Sequence, residues 1–290
     1  MQNCDIIQTT TSDGLLLSGM LQPGNLEKPA IIMIHGFTSD FYSHEFIYSI
    51  ADVLKQSDNA YLTMQTRGTG IQTEFLKNGS GGTIIGSYFE LLEEAHLDIT
   101  AWIDYLLKLG YTKFILAGHS LGTIKTVRYL SEGKYASLIR KIILLAPFDK
   151  TGFMVKTLGA KFNNVLNEVK SKVNSGNGLE IVPPGIEDYP ISYQTWLSWY
   201  NPSDLGSIWD FYRKDYQSPV LNNIAIPTQI LVGAEDNGFI YKEIGTTVED
   251  GKNYLKRNIK ILNMKFIEGA NHSFDGHEAE VGEEVFDFVQ

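Results

Sequence analysis

The stretch Lys113-Phe-Ile-Leu-Ala-Gly118-His119-Ser120-Leu121-Gly122-Thr-Ile decides the fold. Residues 113–118 have the apolar character of a strand buried on both faces of a parallel sheet, and 121–130 carry helical spacing. A strand that passes into a helix through Gly-x-Ser-x-Gly makes a tight, strained turn. A side chain at either glycine would collide with the neighbouring strand or helix. The turn lifts the Ser120 hydroxyl out of the sheet edge. It also sets the serine at a helix N-terminus, where unpaired backbone N–H groups favour developing negative charge.

Upstream, apolar runs at 5–10 and 15–21 flank Ser12-Asp13-Gly14, an Asp-Gly hairpin signal. Residues 30–34 are continuously apolar and lead into His35-Gly36-Phe37. Helical spacing at Phe46, Ile47, Ile50, Ala51 and Leu54, then a strand at 60–65, complete a strand-helix-strand unit. A Gly-rich stretch over 68–86 precedes Ser87-Tyr-Phe-Glu90, whose Ser-x-x-Glu form predicts a capping box. A long helix is expected from there, with Leu91, Leu92, Ala95, Ile99, Trp102, Ile103 and Leu106 inward and Gly110 as its stop. A strand at 141–146 follows. From 151 to 219 the rhythm is lost, and it resumes with strands at 228–233 and 264–268 and a closing helix through Val281, Val285 and Phe288. Such alternation implies right-handed crossovers and an α/β fold: a mostly parallel central sheet with an N-terminal antiparallel hairpin and helices on both faces. Residues 1–150 and 220–290 would form the core, and 151–219 a helical cap or lid insertion.

At 290 residues, 43% hydrophobic and 20% charged, the chain can fill one large core with an embellishment. A net charge of -10 without any cluster of Lys and Arg argues against a nucleic-acid partner. The first twelve residues lack the basic start and apolar run of a signal peptide, and no stretch approaches the roughly 20 apolar residues of a membrane span. The chain therefore reads as cytoplasmic. Its single cysteine, Cys4, excludes an intramolecular disulfide and a Cys-based metal site.

A serine hydroxyl is a weak nucleophile until a base takes its proton. Of the six histidines, His35 and His119 sit inside the turns themselves, and His44 and His96 lie in helical stretches ahead of the serine. With an elbow of this kind the partners follow in the order Ser, acid, His, which leaves His272 and His277. His272, in Gly269-Ala-Asn-His272, comes just after a strand, where the sites of open α/β sheets gather. His277 stands at the start of the last helix. His272 is thus the predicted base. Asp236, directly after the strand ending at Val232, is the predicted acid that orients it, with Asp149 as the alternative and Glu235 expected to point elsewhere. The backbone N–H groups of Leu121 and Phe37 are the predicted oxyanion hole.

The His-Gly-Phe at 35–37, Arg67-Gly68-Thr69-Gly70, Gly-His-Ser-Leu-Gly at 118–122, Gly-x-x-Asp at 233–236 and Asn-His at 271–272 resemble, in order and spacing, the α/β-hydrolase superfamily. Among its members the chain looks most like esterases, lipases and acyl hydrolases with a cap. The resemblance implies the α/β-hydrolase fold over nearly the whole length. It further implies a carboxylesterase-like serine hydrolase that cleaves an ester or thioester through an acyl-enzyme; the aromatic residues of the insertion point to a small apolar or aromatic acyl group, and no metal or cofactor is expected. Rival readings are a C–C or amide hydrolase or acyltransferase with the same triad, and a non-catalytic ligand receptor on this fold. Dehalogenases and epoxide hydrolases carry Asp where this chain has Ser120.

Aromatic residues crowd the insertion at Tyr189, Tyr193, Trp196, Trp199, Tyr200, Trp209, Phe211, Tyr212 and Tyr216. They serve to pack it, to line an acyl pocket, or both; Trp196, Trp199, Tyr200 and Trp209 are the pocket candidates. Gly79-Ser80-Gly81-Gly82 lacks the Gly-Lys-Ser/Thr of a phosphate loop and reads as a flexible loop near the site. Arg67 reads as a loop tie rather than a substrate contact. The acyl and leaving groups, the acyl acceptor and the oligomeric state stay open.

Overall fold

The computed structural model describes residues 4–79, 81–202, 208–211, 215–239 and 245–290. Ser80 of the Gly-rich stretch and Tyr212 of the aromatic stretch lie outside the described residues. The chain opens with β1 (Asp5–Thr10) and β2 (Leu16–Gln22), paired antiparallel. Then come β3 (Ala30–Ile34), α1 (Glu45–Ser57) and β4 (Tyr61–Met64), followed by β5 (Glu74–Lys77) and β6 (Gly81–Ile84), α2 (Ala95–Lys108), β7 (Phe114–His119) and α3 (Leu121–Glu132). After β8 (Ile139–Leu145) come α4 (Lys150–Leu158), α5 (Phe162–Asn174), α6 (Tyr193–Tyr200) and the short α7 (Pro219–Asn222). The chain closes with β9 (Thr228–Gly233), α8 (Val248–Asn258), β10 (Leu262–Ile267) and α9 (Glu278–Val289).

Among the described residues the main sheet has the order β1-β2-β4-β3-β7-β8-β9-β10, and its pairings from β4 to β10 are parallel. Strand periodicity divides the core cleanly, because successive side chains point to opposite faces. Ile31 and Met33 of β3, Ile115 of β7, Ile143 of β8 and Leu231 of β9 pack with α1 and α9. Ile32 and Ile34, Leu116, Ile142 and Leu144, and Ile230 and Val232 pack on the other side with α2, α3 and α8. The uninterrupted apolar runs are required because both faces are covered.

Two expectations about local structure are corrected. The capping box at Ser87 and Glu90 does not form, and the helix starts only at Ala95 after a 3₁₀ turn over Leu92–Glu94. Ser87 Oγ instead donates to the Ile71 carbonyl, and Glu90 is fully buried with Oε1 2.5 Å from Lys125 Nζ. A helix cap contributes about 1 kcal/mol, whereas leaving a buried ammonium without its partner costs about 3–5 kcal/mol, so the ion pair takes the glutamate. The Gly-rich stretch is likewise not a bare loop: β5 and β6 form a small antiparallel ladder, with Phe75 its buried residue. Arg67, 1% exposed, ties this region down by contacts to Asp98 at 2.9 Å, Glu94 at 2.6 Å and Asp13 at 3.3 Å. The helix α8 was not anticipated, since Tyr254 and Leu255 are its only large buried apolar side chains; Thr247 and Asp250 form its capping box.

The elements between β8 and β9 attach to the core at defined points. Trp209 Nε1 donates to Thr123 Oγ1 on α3 at 2.9 Å, and the Ser192 N–H donates to the Tyr88 carbonyl at 2.9 Å. Among the described residues no helix is long and apolar enough to cross a membrane.

Candidate active site

Ser120 lies between β7 and α3 with φ 53° and ψ -118°, a strained backbone conformation for a residue with a side chain. The turn closes because its flanks are glycine. A Cβ at Gly118 would lie 2.3 Å from the Gly122 carbonyl oxygen, and one at Gly122 would lie 2.3 Å from that of Ile34 in β3. The Ser120 N–H is held by the Leu145 carbonyl of β8 at 2.9 Å. The turn is therefore clamped between the strands on either side of β7.

Three loops at the C-terminal ends of parallel strands converge on this serine. His272, after β10, has Nε2 2.8 Å from Ser120 Oγ and Nδ1 2.9 Å from Asp236 Oδ2. Asp236, after β9, has a fully buried side chain, and its Oδ1 accepts the Gly238 N–H at 2.7 Å. With Nδ1–H donated to the carboxylate, Nε2 is the acceptor left for the serine hydroxyl. The loop after β3 abuts the same serine: a Cβ at Gly36 would stand 3.0 Å from Ser120 Cβ. Phe37 and Leu121 both line the cavity above Ser120. Among the described residues neither of their backbone N–H groups has a hydrogen-bond partner.

The other candidates have different employment. Asp149 accepts the Gly152 N–H at 2.7 Å as the cap of α4 and the Phe211 N–H at 3.1 Å; Glu235 is exposed. His277 precedes α9, 3.9 Å from Glu280. His35 is buried, its Nε2 within 3.2 Å of the Thr66 N–H and 2.9 Å of Thr69 Oγ1, so it braces the loop after β3 against the loop after β4. Burial, reinforced by the Lys125 charge, pushes its pKa down to about 3. His119 Nε2 donates to the His272 carbonyl at 2.9 Å, holding the loop that carries His272. Burial, aided by the nearby His272 and His44, keeps His119 well below the usual imidazole range. Both rings are neutral at pH 7 and act as braces.

The cavity has a volume of about 550 Å³ and is lined on one side by Gly36, Phe37, Ser120, Leu121 and His272, on the other by Phe148, Lys150, Phe153, Glu187 and Tyr200 among others. Of the four aromatic candidates only Tyr200 reaches it. Trp196 is fully buried against Phe162 and Tyr200, Trp199 lies behind the Phe37 ring, and Trp209 is turned to Thr123. Each of these indoles is spent on packing the inserted segment. No described residue of the Gly-rich stretch lines the cavity. Sequence reading overlooked Lys150 and Phe148; the signal was their place immediately after β8, at the C-terminal edge of the sheet.

The sequence profile of the alpha/beta hydrolase fold matches residues 29–181, more than half of the chain, and the chain belongs to this family. No curated protein sequence matches it. Among solved structures it is similar to Est1E from Butyrivibrio proteoclasticus with ferulic acid bound, at 20% identity over 97% of this chain and 96% of that one, TM-score 0.66. An esterase from Pyrococcus furiosus is similar at 18% identity, covering 99% and 91% of the two chains, TM-score 0.62. Naproxen esterase, a carboxylesterase from Bacillus subtilis, is similar at 16% identity, covering 99% and 92%, TM-score 0.58.

Proposed function

We propose that this chain is a serine-dependent hydrolase of carboxylic esters, with Ser120 as nucleophile, His272 as general base and acid, and Asp236 as the carboxylate that orients it. The unbroken run of hydrogen bonds from Asp236 through His272 to Ser120, opening into a cavity of about 550 Å³, carries this reading. The esterases among its structural relatives agree with it.

His272 Nε2 takes the Ser120 proton as Oγ attacks the ester carbonyl carbon, and the Asp236 carboxylate stabilises the imidazolium that results. The N–H groups of Phe37 and Leu121 receive the oxyanion. Collapse of the tetrahedral intermediate breaks the C–O bond, and the alcohol leaves with the proton carried by His272. Water, deprotonated by the same imidazole, then attacks the acyl-enzyme and frees Ser120. Residues 151–219 act as a cap that shapes the acyl pocket, and the cavity suits a small acyl group with apolar or aromatic surface. A thioester fits the same steps. Replacement Ser120→Ala tests the proposal: turnover of p-nitrophenyl esters and labelling by a fluorophosphonate should both vanish. Retained turnover overturns it.

A further inference from the structure

Lys150 opens α4 directly after β8, lines the cavity, and is 8% exposed. It is the one lysine or arginine among the described lining residues. Four aromatic rings surround its ammonium: Nζ lies 4.4 Å from the centroid of Trp199, 4.8 Å from Phe37, 5.2 Å from Tyr200 and 5.7 Å from Phe148. Aromatic faces stabilise a cation but accept no strong hydrogen bond from it.

The protein acceptors around it are few. Among the described residues Nζ makes one hydrogen bond, to Tyr200 Oη at a long 3.3 Å, and no carboxylate comes within 4.0 Å. Glu187, one of the two acids of the lining, is already committed: Oε2 accepts the Tyr200 O–H at 2.5 Å, and Oε1 accepts the N–H groups of Asp188 at 3.0 Å and Tyr189 at 3.4 Å. The other acid of the lining, Asp188, is exposed. An ammonium has three donors, so the buried Lys150 keeps unused donors in a cavity that also holds Ser120. Leaving such donors unsatisfied is costly, and water or an anionic ligand group entering the cavity completes them. Burial, opposed by the charges of Glu187 and Glu90, lowers its pKa to about 8, which leaves it largely protonated at pH 7.

We infer that Lys150 is a specificity-determining residue that receives a carboxylate carried by the substrate, so that the preferred esters are those bearing a second, anionic carboxylate. The Phe37 and Phe148 rings would hold the apolar span between that carboxylate and the scissile carbonyl. The inference rests on the ester-hydrolase reading of the same cavity.

The test compares kcat/KM for pairs of esters matched in size, one member charged and the other neutral. In one arm the carboxylate is on the acyl side (p-nitrophenyl hemiglutarate against p-nitrophenyl valerate). In the other it is on the alcohol side (4-carboxyphenyl against 4-carbamoylphenyl butyrate). A charge-assisted hydrogen bond supports a preference of about ten- to a hundredfold for the charged member in one arm. In Lys150→Met, and in Lys150→Gln as a second variant, that ratio should fall to near unity; because a ratio is read, any general loss of activity cancels. The arm that shows the preference tells which side of the ester carries the carboxylate. No preference in either arm, or one that survives both substitutions, overturns the assignment of Lys150. If the wild-type protein also leaves the neutral esters uncleaved and is not labelled by a fluorophosphonate, the ester-hydrolase reading itself has failed, and the inference with it.

Discussion

The two sides of the cavity are made in different ways. One is built from the ends of β3, β7, β9 and β10, where the backbone fixes each group: a glycine-flanked turn at Ser120, a carboxylate anchored by Gly238, a histidine loop held through His119. The other is built from the segment between β8 and β9, where Trp196 and Trp199, packed behind the surface, hold Tyr200, and Trp199 also holds Lys150. Hydrogen bonds and steric exclusion leave the first side one arrangement. The second depends on aromatic burial and a caged cation, and a change of side chain there alters the shape and charge of the pocket without touching the reacting groups.

This contrast predicts a ranking of effects. Ser120→Ala should lower kcat on p-nitrophenyl esters by about 10⁴-fold or more, with the melting temperature nearly unchanged. Asp236→Asn should cost roughly 10²–10⁴-fold in kcat, because the amide no longer accepts the Nδ1–H and the wrong tautomer of His272 faces the serine. Equal losses from Asp149→Asn would erase the distinction between the two sides. On the aromatic side, Trp196→Ala should lower unfolding free energy in urea by about 3–5 kcal/mol while costing far less in kcat than Asp236→Asn. Asp149→Ala should cost about 2–4 kcal/mol, because it removes both the cap of α4 and the acceptor of the buried Phe211 N–H.

Acid provides a milder test of the backbone-built side. His35 is held neutral down to a pKa of about 3, against an ordinary value near 6.5 in the unfolded chain. Between those values the unfolded chain binds a proton that the folded one refuses, so stability rises with pH and is lost as pH falls from about 6.5. The loss should be about 1.4 kcal/mol per pH unit for this residue, and His119 adds in the same direction. Urea midpoints at pH 7 and pH 5 should therefore converge in His35→Gln relative to the wild type; identical shifts would show that the ring does not carry the effect.

The elements that could be read in the chain are those with local causes. The apolar run of β3 and the glycines around Ser120 leave few alternatives for backbone path, and chain order together with position after a strand narrowed six histidines to the one now found 2.8 Å from Ser120 Oγ. Glu90 was misread because the competing partner, Lys125, is 35 residues away along the chain and meets it only after α3 docks. The roles of the tryptophans stayed open for a related reason: an aromatic side chain that packs a segment and one that lines a pocket have the same composition and the same spacing.

By itself, then, the sequence determined the parallel sheet and the strained turn at Ser120 and singled out the loop that carries His272, while leaving the acid between Asp236 and Asp149, because strand periodicity and the steric limits of a tight turn act over a few residues. Only the tertiary structure decided which side chains face the cavity from the inserted segment, and that Lys150 is held there among four rings with donors to spare. Those outcomes depend on which faces of distant helices meet. No local pattern encodes that.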